Sequence, residues 1–173
     1  MADMMEFLKQ GAGMMQDHAR LYVETNGAGD THVRDLTLMG GKADTTCLLL
    51  RTIGRKSGEA RLAPLIYGAW KGDFVVVASK GGHDADPPWY LNIKAAREVD
   101  VQAGPKRWRC AWREPKGAER AEVWAFMADL YPPYEEYQAR TDREIPIVML
   151  TPVAEIAEPF DWRPGDGVDA RTR

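Results

Sequence analysis

The segment 45–79 constrains the fold most, because three β-rich runs follow one another there with only tight turns between them. Thr45-Thr46-Cys47-Leu48-Leu49-Leu50-Arg51-Thr52-Ile53 is dense in β-formers and apolar in its middle, the texture of a buried strand. Gly54-Arg55-Lys56-Ser57-Gly58 reads as a turn with a glycine at each end. Residues 60–69 read as a second strand, in which Pro64 marks a bulge or an edge. Lys71-Gly72-Asp73 then turns the chain into a third strand over 74–79. Further strands are expected at 99–103 and 107–113, joined by Gly104-Pro105-Lys106, and a last one at 145–150. About six strands in hairpins, without regular alternation with helices, imply a mainly β (α+β) fold: a mostly antiparallel sheet closed into a small barrel. A doubly wound parallel sheet is disfavoured.

Helices are expected around this sheet. Met4, Phe7, Leu8, Met14, Met15, Leu21 and Tyr22 recur at roughly helical spacing over 3–24, weakened at Gly11 and Gly13. A helix packed on the barrel is preferred there to an anchor associating weakly with a membrane surface. Asn26-Gly27-Ala28-Gly29-Asp30 stops it, and 31–44 reads as irregular. A short helix is expected over 88–96, with proline in its first turn, and an amphipathic one over 116–130. Tyr131-Pro132-Pro133-Tyr134 interrupts the latter, with another turn of helix over 135–140. The chain thus divides into an N-terminal helix and linker (1–30), a barrel domain (31–153) and a polar, peripheral or frayed tail (154–173).

At 173 residues the chain has the length of one domain with one core. Acids outnumber bases 26 to 23, so no basic surplus advertises nucleic-acid binding. Cys47 and Cys110 lie outside any Cys-x-x-Cys pair and read as buried thiols in a reduced compartment. Neither a secretory signal nor an apolar run of membrane-spanning length is evident, so a cytoplasmic location is the expectation. His18, His32 and His83 are scattered without metal-ligand spacing, so no metal is expected; a solvated loop is favoured over a cation site at His83-Asp84-Ala85-Asp86. Hydrolase-elbow and dinucleotide glycine motifs are absent.

Four segments could carry chemistry. Arg55-Lys56-Ser57 places two cations and a hydroxyl on a glycine-bounded turn, flanked by Arg51 and Arg61, a cluster suited to a phosphate or polycarboxylate. A solvated hairpin tip is the equal alternative. Ala78-Ser79-Lys80-Gly81-Gly82 ends a strand in small residues, leaving N–H groups for the carbonyls of a flat heterocycle; a flexible loop is the alternative. Trp89 and Asn92 share a helix face and suit a planar polar ring, or else are a core Trp and a capping Asn. Tyr131, Tyr134 and Tyr137 recur at spacing three and make either an apolar wall with hydroxyl tips or core packing.

Taken in order, these segments resemble one family. The runs from Leu48 to Gly58, Val75 to Gly82, Pro88 to Lys94, Tyr131 to Gln138 and Arg140 to Pro146 are similar to the deazaflavin-dependent nitroreductases, split β-barrels related to FMN-binding oxidoreductases, over about 21–152. The resemblance implies coenzyme F420 as cofactor, with FMN as the alternative. It implies that Arg55, Lys56, Ser57 and Arg61 hold the anionic tail. It places Pro64, Leu65, Ala78, Ser79, Lys80 and Gly81 along the deazaflavin ring, with Trp89 and Asn92 beside it. Ser79, Tyr131, Tyr134 and Tyr137 would polarise the acceptor or relay a proton. The implied reaction is hydride transfer to a quinone, enone or nitro compound. The alternatives are an FMN-dependent split-barrel oxidoreductase and a non-enzymatic carrier. A homodimer is the partner left open.

Overall fold

The computed structural model describes residues 2–167, with side chains from Gly13 onward. Strand β2 (Thr45–Ile53) is the centre of the architecture. It is flanked by β3 (Ala60–Ile66) and β6 (Glu98–Ala103), both antiparallel to it. The sheet continues from β6 through β7 (Lys106–Arg113) and β8 (Ile147–Ile156) to β5 (Asp73–Val77) and β4 (Gly68–Trp70). Each of these pairings is antiparallel too. Four helices flank it: α1 (Ala2–Glu24), α2 (Pro88–Lys94), α3 (Gly117–Leu130) and α4 (Pro133–Ala139).

The single strand expected at 60–69 is two strands with different partners. Ile66 pairs with Cys47 of β2, the Tyr67 N–H donates to the Thr46 carbonyl at 3.0 Å, and Gly68 already pairs with Val75 of β5. Since β3 lies at one end of the sheet order and β4 at the other, this handover joins the two ends. The result is the mostly antiparallel, closed barrel that the strand pattern called for, in the split form that the resemblance implied. Gly68 makes the handover sterically feasible: a Cβ there would stand 2.6 Å from the Phe126 ring and 2.9 Å from the Met127 sulfur. Pro64 lies in β3, which pairs with β2 alone, the edge setting its sequence suggested.

Alternation sorts the apolar runs onto two faces. Leu48, Leu50, Val76, Val148 and Leu150 fill the barrel. Val75, Val77, Ile147 and Met149 face outward against α3 and α4, through Val123, Met127, Tyr131 and Tyr134. Leu49 and Leu62 face outward against Ala19 and Tyr22 of α1 and against Phe160. Strands covered on both sides therefore read as unbroken apolar runs.

Three expectations need correction. On α1 the docking face is Ala19 and Tyr22, whereas Met14, Met15 and Leu21 are exposed. The helix is oriented by the Tyr22 hydroxyl, which donates to the Cys47 carbonyl (2.9 Å) and accepts the Gly104 N–H (2.8 Å). The side chains of Met4, Phe7 and Leu8 fall outside the described ones. The segment 31–44 is not wholly irregular: β1 (Val33–Arg34) adds to β2, and His32 accepts the Cys47 N–H.

Most consequentially, the segment after Pro152 is not frayed as far as residue 167, although most of its residues are exposed. Strand β8 continues to Ile156, paired with β7 across an irregularity at Arg109/Cys110. Phe160 is buried, and Asp166, 1% exposed, accepts the N–H groups of Leu62 (2.9 Å) and Arg163 (2.6 Å). Gly167 donates back to the Leu62 carbonyl at 2.8 Å. The open edge of β3 needs such a cover, because unpaired strand groups are costly when buried and adhesive when exposed. Residues 168–173 fall outside the described part.

Asp166→Ala is therefore expected to lower stability by about 1–3 kcal/mol, since it leaves two N–H groups without an acceptor. Urea unfolding measures this; an unchanged midpoint would show that the tail does not cap β3.

Candidate active site

The β2–β3 hairpin closes through hydrogen bonds from the Gly54 N–H to Glu59 and from the Gly58 N–H to Gly54, both 2.8 Å, with Gly58 at φ +71°. Arg55, Lys56 and Ser57 stand exposed at its tip. The Ser57 hydroxyl accepts the Glu59 N–H at 3.2 Å, so it helps shape the turn. The neighbouring cations are already partnered. Arg61 pairs with Glu59 at 3.1 Å. Arg51 lies opposite Asp100 in the β2–β6 register and pairs with it at 3.0 Å, alongside Arg109 at 3.1 Å. The cationic tip is thus essentially Arg55 and Lys56.

Asn92 connects this tip to α2. Its Oδ1 accepts both the backbone N–H and the Nη1 of Arg55, each at 3.1 Å, while its Nδ2 donates to the Thr52 hydroxyl at 3.2 Å. One helical turn earlier, Trp89 packs half-buried against the barrel interior, the cluster that also takes in Leu65 and Ala78. Arg55, Asn92, Trp89, Leu65 and Ala78 therefore belong to one continuous part of the molecule. Pro64 does not share the face of Leu65. Period-two alternation puts it on the outer face with Leu62, so the two neighbours cannot both line a ring inside the barrel mouth.

The Ser79 segment differs from a loose loop ending in free amides. The Ala78 N–H donates to the Pro146 carbonyl at 2.9 Å. Lys80, Gly81 and Gly82 form a 3₁₀ turn with φ of +48°, +62° and +80°, a run only glycine-rich sequence tolerates. Gly82 is pressed against α4: a Cβ there would lie 2.5 Å from the Tyr137 carbonyl oxygen. The turn is thereby held next to the tyrosines.

Of these, Tyr131 and Tyr134 are buried at 2% and 4% exposure, in the outer core with Leu36, Val75, Met127 and Ile145. Their rings meet edge-on, with centroids 5.0 Å apart. Tyr137 is half-buried, and its hydroxyl lies 3.3 Å from that of Tyr131. Burial, helped by that hydrogen bond, raises the Tyr131 phenol above its ordinary range; burial does the same to Tyr134. Both stay protonated, and Tyr137 is the least buried of the three. The expected wall of three phenols is thus two rings buried in the outer core with Val75, Ile147 and Met149, and one half-buried ring at its margin.

Sequence spacing gave no sign of a further pair. His32 Nε2 and the Tyr67 hydroxyl meet at 2.8 Å with nearly parallel rings at the β3–β4 handover, from positions remote along the chain. Arg143, threaded beneath the Ser79 turn, was also overlooked; its signal is a cation just before an apolar strand. Two clefts of about 700 and 470 Å³ open elsewhere. The first is lined by Tyr90, Glu114, Arg120 and Arg143, the second by Trp124 and Gln138, among others. Neither is lined by Arg55, Trp89 or Tyr137.

Burial pushes the thiols of Cys47 and Cys110 up to about 11 and 12, so neither is poised as a nucleophile. At pH 8 both are expected to resist a thiol reagent in the folded protein and to react once it is unfolded in urea. Stoichiometric labelling of the native protein would contradict this.

With the geometry established, similarity to known proteins can be placed on it. A family model described as F420H(2)-dependent quinone reductase matches residues 14–152. An F420H(2)-dependent quinone reductase of Mycobacterium tuberculosis is 32% identical over 144 residues, covering 82% of this chain and 91% of that protein. A solved F420-H2 dependent reductase is 43% identical, with a TM-score of 0.56 over 60% of this chain and 92% of its own. A solved domain-swapped dimer gives the same identity and TM-score over 78% of its chain. This chain therefore belongs to the F420H(2)-dependent quinone reductase family.

Proposed function

We propose that this protein oxidises F420H2 and delivers the hydride to a quinone-type acceptor, using the residues that connect the cationic hairpin tip to the Ser79 turn. Family membership supports F420 over FMN, and an enzyme over a non-catalytic carrier. Enones and nitro compounds remain acceptors to assay beside quinones.

The residues fit such a cofactor. Arg55 and Lys56 form an exposed cationic tip able to hold an anionic tail, while Leu65, Ala78 and Trp89 supply apolar surface for a flat ring. The observation that carries the reading is the double hydrogen bond from Arg55 to Asn92, which fixes the tip to the helix bearing Trp89. Asn92 acts here by positioning and is not itself turned to a ring. Reduced F420, when bound, supplies the hydride.

The protein's part is orientation, exclusion of water and handling of a proton. Tyr131 stays protonated and sits within hydrogen-bond distance of Tyr137, so it can donate to that hydroxyl and leave the Tyr137 proton directed outward. Tyr137 is thus the group to protonate a reduced acceptor oxygen, and the turn that follows Ser79 packs through Gly82 on the Tyr137 backbone. Tyr134 supports both rings from the core. The solved dimeric relative makes self-association the partner reading to test by light scattering.

Replacing both Arg55 and Lys56 with alanine is expected to weaken F420 binding about 10- to 100-fold at low ionic strength and much less at high salt, because exposed charges are screened. Fluorescence titration reads this, and wild-type affinity in dilute buffer would refute the tip as tail site. Tyr137→Phe should slow F420H2 oxidation by menadione by about 10-fold or more while leaving F420 affinity intact. A Tyr137→Phe enzyme with full turnover would remove that hydroxyl from the proton path.

A further inference from the structure

Arg143 occupies an unusual position for a cation: its side chain is only 15% exposed, and every nitrogen of its guanidinium is engaged. Nη2 donates to the carbonyls of Ala78 (3.1 Å) and Ser79 (2.8 Å), Nε to the carbonyl of His83 (2.7 Å), and Nη1 to Asp86 Oδ1 (3.0 Å). One planar group therefore grips both the entry and the exit of the 78–86 segment. Its neighbours add weaker ties: Arg140 Nη1 reaches the Gly81 carbonyl at 3.4 Å, and the Thr141 hydroxyl donates to Asp84 at 2.9 Å. Arg140, Thr141 and Arg143, which the reaction itself does not use, together brace this turn.

The consequence follows from peptide geometry. In a trans peptide the C=O and N–H point in opposite directions. With the Ala78 carbonyl drawn onto Arg143, the Ser79 N–H is turned to the far side, away from the guanidinium. A cation at the carbonyl end also polarises the peptide and strengthens the N–H as a donor. The intervening backbone is strained, with positive φ at Lys80 between two anchored carbonyls and two glycines. Without a brace, such a turn would relax.

We infer that Arg143 is a positioning residue for the cofactor ring, setting the direction and donor strength of the Ser79 peptide N–H that meets the deazaflavin. Lysine cannot substitute, because a single ammonium does not reproduce a planar fork spanning three carbonyls and a carboxylate. The role rests on the F420 reading given above, and its test separates the two.

Two probes are used: intact F420, and the deazaflavin nucleoside lacking the phosphate and glutamyl tail. Arg143→Ala and Arg143→Lys should each bind the tail-less nucleoside about tenfold more weakly, the loss of roughly one well-made hydrogen bond. The salt dependence of their F420 binding, which reports the tail, should keep the wild-type slope. Lys56→Ala, which leaves the Arg55–Asn92 bonds in place, should show the mirror result, a shallower slope with nucleoside affinity much less affected than in Arg143→Ala. General damage to the fold would disturb both readouts. Should Arg143→Ala not fold, Asp86→Ala loosens the same guanidinium while sparing the three carbonyls, and about threefold weaker nucleoside binding is expected. Wild-type nucleoside affinity in Arg143→Ala, or full recovery in Arg143→Lys, would overturn the positioning role alone. Failure of the wild-type protein to bind either probe would overturn the cofactor reading along with it.

Discussion

A change of partner within one extended segment holds this fold in its shape. Residues of β3 bond to β2 up to Ile66, and two residues later Gly68 bonds to β5. Because β2 and β5 lie far apart in the sheet order, the segment between them closes the barrel covalently. The handover needs a residue without a side chain where α3 presses on the chain, and Gly68 supplies it. The remaining free edge of β3 is then covered by the C-terminal segment through Asp166 and Gly167. Closure leaves little strand edge exposed among the described residues, which suits a small barrel in water.

The same closure places the chemistry. Bringing β5 next to β8 sets the Ser79 turn beside Pro146, and the chain leaving α4 runs directly beneath that turn. On the other flank, α2 returns to the hairpin tip and is tied there by Asn92. A buried amide and a guanidinium group do this work because each engages several polar groups at once, and a partly satisfied one would be costly. In the proposed site, the surface offered to the cofactor is shaped from behind, by Asn92 and Arg143, while the groups proposed to face it are few: two cations, one phenol and a run of small residues.

Much of this was legible along the chain. The β2 strand, its glycine-bounded turn, the proline-started α2 and the Tyr-Pro-Pro-Tyr break follow from local chemistry, since strand texture, turn glycines and proline each act over a few residues. The cationic tip and the ordered motifs were visible as well. Other features were not legible there, for a shared reason. Whether Pro64 faces the same way as Leu65, whether Tyr134 lies in the core, and whether Arg61 is paired all depend on what a distant segment brings alongside.

The sequence by itself determined most of the strands, the glycine-bounded turns and the family, because these are written in neighbouring residues and in motif order. Only the tertiary structure decided which groups are spent and which remain available. Asn92 is consumed by the hairpin, Arg143 by the Ser79 turn, and Asp166 by an edge strand 104 positions away. Such assignments are made by hydrogen bonds between remote segments, and their partners are chosen only when closure of the barrel brings them within reach.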